Sequence, residues 1–174
     1  MTEHERNNYR DIIRKRSSHP RHRGRVDAYT GRGYAINPLC GDVVEITIKV
    51  SDEEECISEA CHMSEGCAVC IASTELMIDA IHGKTIDQAH QIFHTFQQML
   101  NHSHHFQGQH PLKALSPLST LPGRTRSASL GWKAFVEATQ SVKHDPKEKA
   151  KAHPNPPLKR DHSPPPGAIH HGAS

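Results

Sequence analysis

Alternation is cleanest over residues 43–50. Val44, Ile46, Ile48 and Val50 fall on one side of an extended chain, and Glu45, Thr47 and Lys49 fall on the other. That period of two predicts a β-strand with one dry and one wet face. Asp52-Glu53-Glu54-Glu55 reads as a charged hairpin turn, residues 56–63 as the returning strand and residues 25–36 as an irregular strand region. Helical periodicity takes over elsewhere. Residues 4–16 place Tyr9, Ile12 and Ile13 on one side, and Ser18-His19-Pro20 ends the run because proline disfavours helix in the residue before it. In residues 67–82, Glu75, Asp79 and His82 share one narrow stripe and nearly all else is apolar, which predicts a mostly buried helix stopped by a left-handed Gly83. Thr85-Ile86-Asp87-Gln88 has the capping-box pattern. The helix after it carries Ile86, Ala89, Ile92, Phe93, Phe96, Met99 and Leu100 on one face. Residues 101–125, rich in His, Gly, Pro and Ser, read as a loop. A last helix over about residues 128–142 packs through Leu130, Trp132, Phe135 and Val136. The fold class is α+β: a small antiparallel sheet covered on one face by helices.

Composition limits where a core can form. Only 34% of the 174 residues are apolar and 5% aromatic, so the core is concentrated in residues 1–142. Residues 143–174, dominated by Pro, His and Lys, hold too little apolar surface to offset ordering entropy and are expected to be a disordered tail. A net charge of +2 makes no case for nucleic acid. Nine of the 21 Lys and Arg fall in residues 1–32, a solvated basic terminus or a docking surface for an acidic partner. No signal peptide is visible and no apolar run is long enough to span a membrane. Five cysteines, an odd number, argue for a reducing cytoplasm over a disulfide framework.

Chemistry concentrates at two cysteines. Cys40 sits in Asn37-Pro38-Leu39-Cys40-Gly41-Asp42, where a proline turn and an adjacent glycine let a thiol project. Asp42 can share a ligand with it. Cys67, in Glu65-Gly66-Cys67 before Ile71-Ala72-Ser73, opens a helix, where unpaired amides and the dipole favour thiolate. Cys70 lies opposite the polar stripe of its helix and reads as core. Cys56 and Cys61, on the returning strand, read as packing residues. Near the last helix, Arg124-Thr125-Arg126-Ser127 precedes Trp132, and Ser127 reads as that helix's N-cap, worth ~1 kcal/mol relative to Ala. Sixteen histidines include an i, i+4 pair, His90 and His94, on the wet face of its helix. That pair, with the loop and tail histidines, predicts adventitious metal binding only.

These motifs carry a resemblance. The Asn-Pro-x-Cys-Gly-Asp turn, the Gly-Cys-x-x-x-x-Ala-Ser run and a position shortly before a Trp-containing helix resemble the U-type iron–sulfur assembly scaffolds, the NifU N-terminal/IscU/SufU family. The match runs from Tyr9-Arg10-Asp11-Ile12-Ile13 through His19-Pro20-Arg21-His22-Arg23-Gly24 to near Ala138, roughly the first four-fifths of the chain. The long interval from Cys67 to Ser127, the absence of a Leu-Pro-Pro-Val-Lys run, and Arg126 where the IscU type has a histidine are similar to the SufU type. The resemblance implies the same α+β fold. It also implies zinc or iron held by Cys40, Asp42 and Cys67, a transient iron–sulfur cluster, and a SufS-like cysteine desulfurase as partner. The protein would be a scaffold or sulfur carrier, with Cys40 as the sulfur acceptor. Where the family has its third cysteine this chain has Ser127, which leaves a three-ligand site with an open position, because a serine hydroxyl is hard and stays protonated near neutral pH. A second reading is a degenerate paralogue that binds the desulfurase as a regulator without sulfur transfer. A third is a histidine-rich metal buffer.

Overall fold

The strand read from alternation is the middle of a three-stranded antiparallel sheet. The computed structural model describes residues 3–51, 53, 55–101, 106–107 and 110–142. In it β1 (Gly31–Asn37), β2 (Asp42–Val50) and β3 (Ile57–Glu65) lie in that order. Ile46 stands opposite Gly33 and His62, and Val44 opposite Ala35 and Ser64. Directly opposed residues share a face, so Val44, Ile46 and Ile48 form one dry face together with Gly31, Gly33, Ala35 and Ala60. The buried His62 and Ser64 lie on it too.

That face is covered by α2 (Ala68–Ile81) and α5 (Leu130–Val142), with α1 (Glu3–Ser18) packed outside α2. Gly31 and Gly33 let α5 lie directly on β1. A Cβ on Gly33 would run into the carbonyl oxygen of Ala134, and one on Gly31 into that of Ala138. The outward amides of β1 are taken by the same helix: Arg32 N–H donates to Ser141 Oγ at 2.9 Å and Tyr34 N–H to Glu137 Oε2 at 2.8 Å. An edge strand that would otherwise offer free donors to another chain is thereby closed over this stretch.

The other face is wet only in part: the side chains of Lys49 and Glu59 stay open, 43% and 56% exposed, but the middle of the face is covered, contrary to the alternation. Glu45 and Thr47 are only 3% and 1% exposed. The segment between α1 and β1 crosses them. Gly24 N–H donates to the His62 carbonyl and His62 N–H to the His22 carbonyl, each at 2.9 Å, which ties the segment to the edge of β3. Val26 N–H donates to Thr47 Oγ1 at 3.0 Å. Arg25 and Arg32 both pair with Glu45. Burial pushes the Glu45 carboxyl up, but the two guanidiniums outweigh it and hold its pKa below the ordinary value.

The polar stripe of α2 likewise faces protein. Glu75 is fully buried and accepts the amides of Arg21 at 2.9 Å and His22 at 2.8 Å, while its Oε1 lies 2.9 Å from His62 Nε2. Ser64 Oγ lies 2.7 Å from His62 Nδ1. With Nε2–H donated to Glu75 and the Ser64 hydroxyl donated to Nδ1, every polar atom of this buried group has a partner. Asp79, one turn on, takes Arg16 at 2.6 Å, Arg21 at 3.0 Å and His22 at 2.8 Å. Only His82 at the end of the stripe is exposed, and Gly83 (φ +68°) turns the chain out of the helix as its position implied.

α3 (Ile86–Leu100) begins with the predicted capping box, Thr85 and Gln88 exchanging bonds of 3.2 and 3.1 Å. His90, expected on its wet face with His94, instead lies against α5. Its Nε2 is 3.0 Å from Thr139 Oγ1 and its ring centroid 5.7 Å from that of Phe135. His94 alone is exposed.

The expected loop over 101–125 is largely helical. A 3-10 helix spans Pro111–Thr120 and α4 spans Pro122–Ala128. Leu112, Leu115 and Leu118 are fully buried, one per turn of the 3-10 helix. The last helix expected over about 128–142 is α5, which begins at Leu130, and α4, which the sequence reading left in the loop, precedes it and joins it at Ser129. Trp132 anchors α5, stacked on Phe93 at 5.1 Å and edge-on to Phe135 at 6.1 Å. The tail expected over 143–174, and its histidines, lie outside the described residues. Among the described residues no helix is long and apolar enough to cross a membrane.

Candidate functional site

The turn between β1 and β2 presents the first cysteine. Asn37 organises it: its carbonyl accepts from Gly41 N–H at 2.9 Å and its side-chain oxygen from Leu39 N–H at 3.3 Å. Gly41 has a φ of +75°, a conformation glycine adopts without strain. Cys40 is left exposed at the tip, flanked by Leu39 (72% exposed) and Ile36 (53% exposed). These are two of the three large apolar side chains that stand out from the surface among the described residues.

Asp42, which opens β2, is the hub. It is 2% exposed, and it reaches its partners because Gly66 has no side chain: a Cβ there would lie 2.5 Å from Asp42 Oδ1. Cys67 is the N-cap of α2. Its N–H donates to Asp42 Oδ1 at 2.8 Å and its thiol to Asp42 Oδ2 at 3.5 Å. A cap normally accepts from the helix amides with its own side chain. Here the carboxylate of Asp42, brought in from β2, sits at the positive end of the helix. Burial pushes the Asp42 carboxyl up, but hydrogen bonds from Cys40, Ser127 and Cys67 outweigh it and hold its pKa below the ordinary aspartate value.

Ser127 is brought to the same place, though not as the N-cap expected of it. Pro122 occupies the first turn of α4, Leu121 is its cap, and Ser127 lies in its last turn. It is 5% exposed, with Oγ 3.7 Å from Cys40 Sγ. Proline at the first helical position is the sequence signal for the start of α4, a helix separate from the one Ser127 was expected to cap. Arg124 and Arg126 project from α4 into solvent and form no ion pair among the described residues.

The other cysteines stay apart from this chemistry. Cys70 is fully buried in the core, where burial and then the charge of Asp42 push its thiol far up, so it remains protonated. Cys61 is half-buried opposite Thr47, on the sheet face turned away from α2, and burial with the nearby Glu59 and Glu75 raises it too. Cys56 is half-buried just ahead of β3.

Two thiols, one carboxylate and one hydroxyl therefore meet at one point of the surface. Two sulfurs with one carboxylate are donors that suit Zn²⁺ or Fe²⁺, and the hydroxyl is a poor fourth. Among the described residues, no three Cys, His, Asp or Glu side chains already surround one point as ligands. Instead the Cys40 thiol is turned toward Ser127 and the Cys67 thiol toward Asp42.

Residues 8–108 match the family described as NifU-like N terminal domain. The chain is 30% identical over 129 residues to the zinc-dependent sulfurtransferase SufU of Bacillus subtilis, covering 73% of this chain and 86% of that protein. It is 29% identical over 138 residues to the iron–sulfur cluster assembly scaffold protein IscU of Streptococcus pyogenes, covering 75% and 81%. Two crystal structures share the fold. One is described as an iron–sulfur cluster assembly scaffold protein for the SUF system from Fervidobacterium islandicum, with a TM-score of 0.67 at 24% identity over 76% of this chain and 96% of that one. The other is a nitrogen-fixing NifU-like protein (N-terminal) from Brucella abortus, with a TM-score of 0.69 at 18% identity over 85% and 99%. The likeness agrees with the α+β fold and the family read from the sequence motifs.

Proposed function

The chain belongs to the NifU-like N-terminal domain family, and we propose that it serves iron–sulfur cluster assembly, as a scaffold or as a zinc-dependent sulfur acceptor for a cysteine desulfurase. The observation that carries this reading is the convergence of Cys40, Cys67 and Ser127 on the buried carboxylate of Asp42. Cys40, Asp42 and Cys67 would hold a zinc ion, and its charge would keep both sulfurs deprotonated. Iron and the cluster are cargo.

Cys40 is the acceptor because it alone of the two thiols sits at the tip of a turn. Its thiolate attacks the outer sulfur of a persulfide on the partner's cysteine. A new S–S bond forms on Cys40, the partner's S–S bond breaks, and the partner's cysteine leaves as thiolate. Asp42 holds Cys67 at the helix start while this happens. Ile36 and Leu39 give the partner an apolar footing around Cys40, and Arg124 and Arg126 give it two cations beside Ser127.

Ser127 favours one alternative. A buried hydroxyl at the third position removes a sulfur from the site, which suits an adaptor that docks to the desulfurase and transfers nothing. The deciding experiment measures metal and acid-labile sulfide in untagged protein, and persulfide on the chain after incubation with a cysteine desulfurase and cysteine. The acceptor reading expects about one zinc or iron per chain, lost in Cys40→Ala, and a persulfide on Cys40. A chain that binds the desulfurase yet holds neither metal nor persulfide is the adaptor.

A further inference from the structure

Something must hold residue 127 against Cys40, since the two come from distant parts of the chain. α4 is short, and its last turn reaches the site through its junction with α5. That junction is clamped to α2 at two adjacent positions. Ser73, fully buried, donates its hydroxyl to the carbonyl of Ala128 at 2.7 Å. Ala128 is the last residue of α4, where helix carbonyls run out of intrahelical partners. The next residue of α2, Thr74, packs where a side chain on Gly131 would stand: a Cβ there would lie 2.5 Å from Thr74 Oγ1. Thr74 is itself held, its hydroxyl donating to the Cys70 carbonyl at 2.9 Å. Ser73 thus grips the residue after Ser127, and Thr74 seats the backbone three residues further on.

We propose that Ser73 is a positioning residue: through the Ala128 carbonyl it fixes the α4–α5 junction and so aims residue 127 at Cys40 and Asp42. The proposal gives the serine of the Gly-Cys-x-x-x-x-Ala-Ser run a task distinct from that of the cysteine ahead of it. Cys67 begins α2 and supplies a sulfur; Ser73, further along the same helix, places the third corner of the site. Nothing else among the described residues joins α2 to the end of α4 by a side-chain hydrogen bond. The inference rests on residues 40, 42, 67 and 127 being the site, but its test needs neither metal nor partner, so it can fail while sulfur transfer stands, and the reverse.

The test uses the full-length, metal-free chain carrying Ser127→Cys, equilibrated with reduced and oxidised glutathione in the presence of a chelator. The new thiol stands where Ser127 Oγ now lies, 3.7 Å from Cys40 Sγ. Its disulfide with Cys40, quantified by peptide mapping, reports an effective concentration for the pair. Adding Ser73→Ala is expected to lower that effective concentration by about tenfold, an equilibrium shift worth about 1.4 kcal/mol. The iodoacetamide reactivity of Cys67, read on its own peptide, is expected to stay unchanged. Gly131→Ala, which pushes the junction off Thr74 from the other side, is expected to give a loss of the same kind and serves where Ser73→Ala does not fold. An unchanged effective concentration overturns the proposal. So does a parallel change at Cys67, which would mean general loosening of α2, and so does failure of the Cys40 disulfide to form before Ser73 is touched.

Discussion

Ser127 Oγ and Cys40 Sγ lie 3.7 Å apart across the gap between α4 and the β1–β2 turn. Two thiols and a hydroxyl therefore meet at the buried carboxylate of Asp42. A hydroxyl in that place accepts or donates a hydrogen bond, but it does not ionise near neutral pH and ligates zinc weakly. Ser127→Cys is expected to tighten zinc binding by at least tenfold, about 1.4 kcal/mol, measured by competition with a chromophoric chelator. Cys40→Ala in the same background should return the affinity to the native level or below.

Gly66 makes room for Asp42, so the site is sensitive to a single methyl group. In Gly66→Ala the new Cβ would stand 2.5 Å from Asp42 Oδ1, and the carboxylate must move off the Cys67 amide that it accepts from at 2.8 Å. Zinc affinity should fall by about tenfold or more, the scale seen when groups that orient metal ligands are lost. Gly123→Ala is the matched control: a Cβ at Gly123 meets nothing within 4 Å, and alanine inside α4 should stabilise the helix by roughly 0.5–1 kcal/mol with no change in affinity.

How far the sequence could be read depended on whether local pattern and tertiary contact agreed. The alternation of Val44, Ile46 and Ile48, the Thr85–Gln88 box and Gly83 are local devices, and each appears where the pattern put it. Cys40, Asp42 and Cys67, which the structure brings together, stood out in the sequence because a turn and a helix start are also local. Glu45 and Thr47 were misread as solvent-facing because what covers them, Arg25, Val26 and Arg32, is remote from them along the chain. The 3-10 helix was hidden by its Pro and Ser content, although Leu112, Leu115 and Leu118 recur at its period of three. Ser127 misled because a serine ahead of an apolar run looks like a cap. Its approach to Cys40 comes from the packing of α4, whose last carbonyl accepts from Ser73 more than fifty residues away along the chain, and no local pattern contains that information.

Those three leucines give residues 111–120 a structural role that a surface loop would lack. Leu115 is fully buried. Leu115→Ala is expected to destabilise the protein by about 2–5 kcal/mol in urea denaturation, the range for a large-to-small change that leaves a cavity. Lys113→Ala, on the outer side of the same 3-10 helix, should cost under about 1 kcal/mol. Equal small effects from the two would mean that the segment lies loosely on the core.

Glu75 ties the N-terminal arm to the sheet, and the strength of that tie depends on its charge. It is fully buried and accepts from two backbone amides and from His62. Burial alone pushes its carboxyl up; the hydrogen bonds from His62, Arg21 and His22 outweigh this and bring it below the ordinary glutamate value. A carboxylate whose pKa is lowered by folding binds fewer protons in the native state than in the unfolded one. Its contribution is therefore fully present above the unfolded value, near pH 4.3, and is lost as pH falls through the folded value. Asp42 and Glu45 are shifted in the same direction, so stability measured by urea denaturation should be level at neutral pH and decline steadily below about pH 4. Glu75→Gln tests the share carried by this residue. The amide keeps the shape but turns an N–H toward one of the three donors, at a cost of about 3 kcal/mol at pH 7. It also removes the titration, so the gap between the variant and the native protein should narrow as the pH is lowered toward 2. A gap that stays constant over the whole range would mean that Glu75 acts through its shape and not its charge.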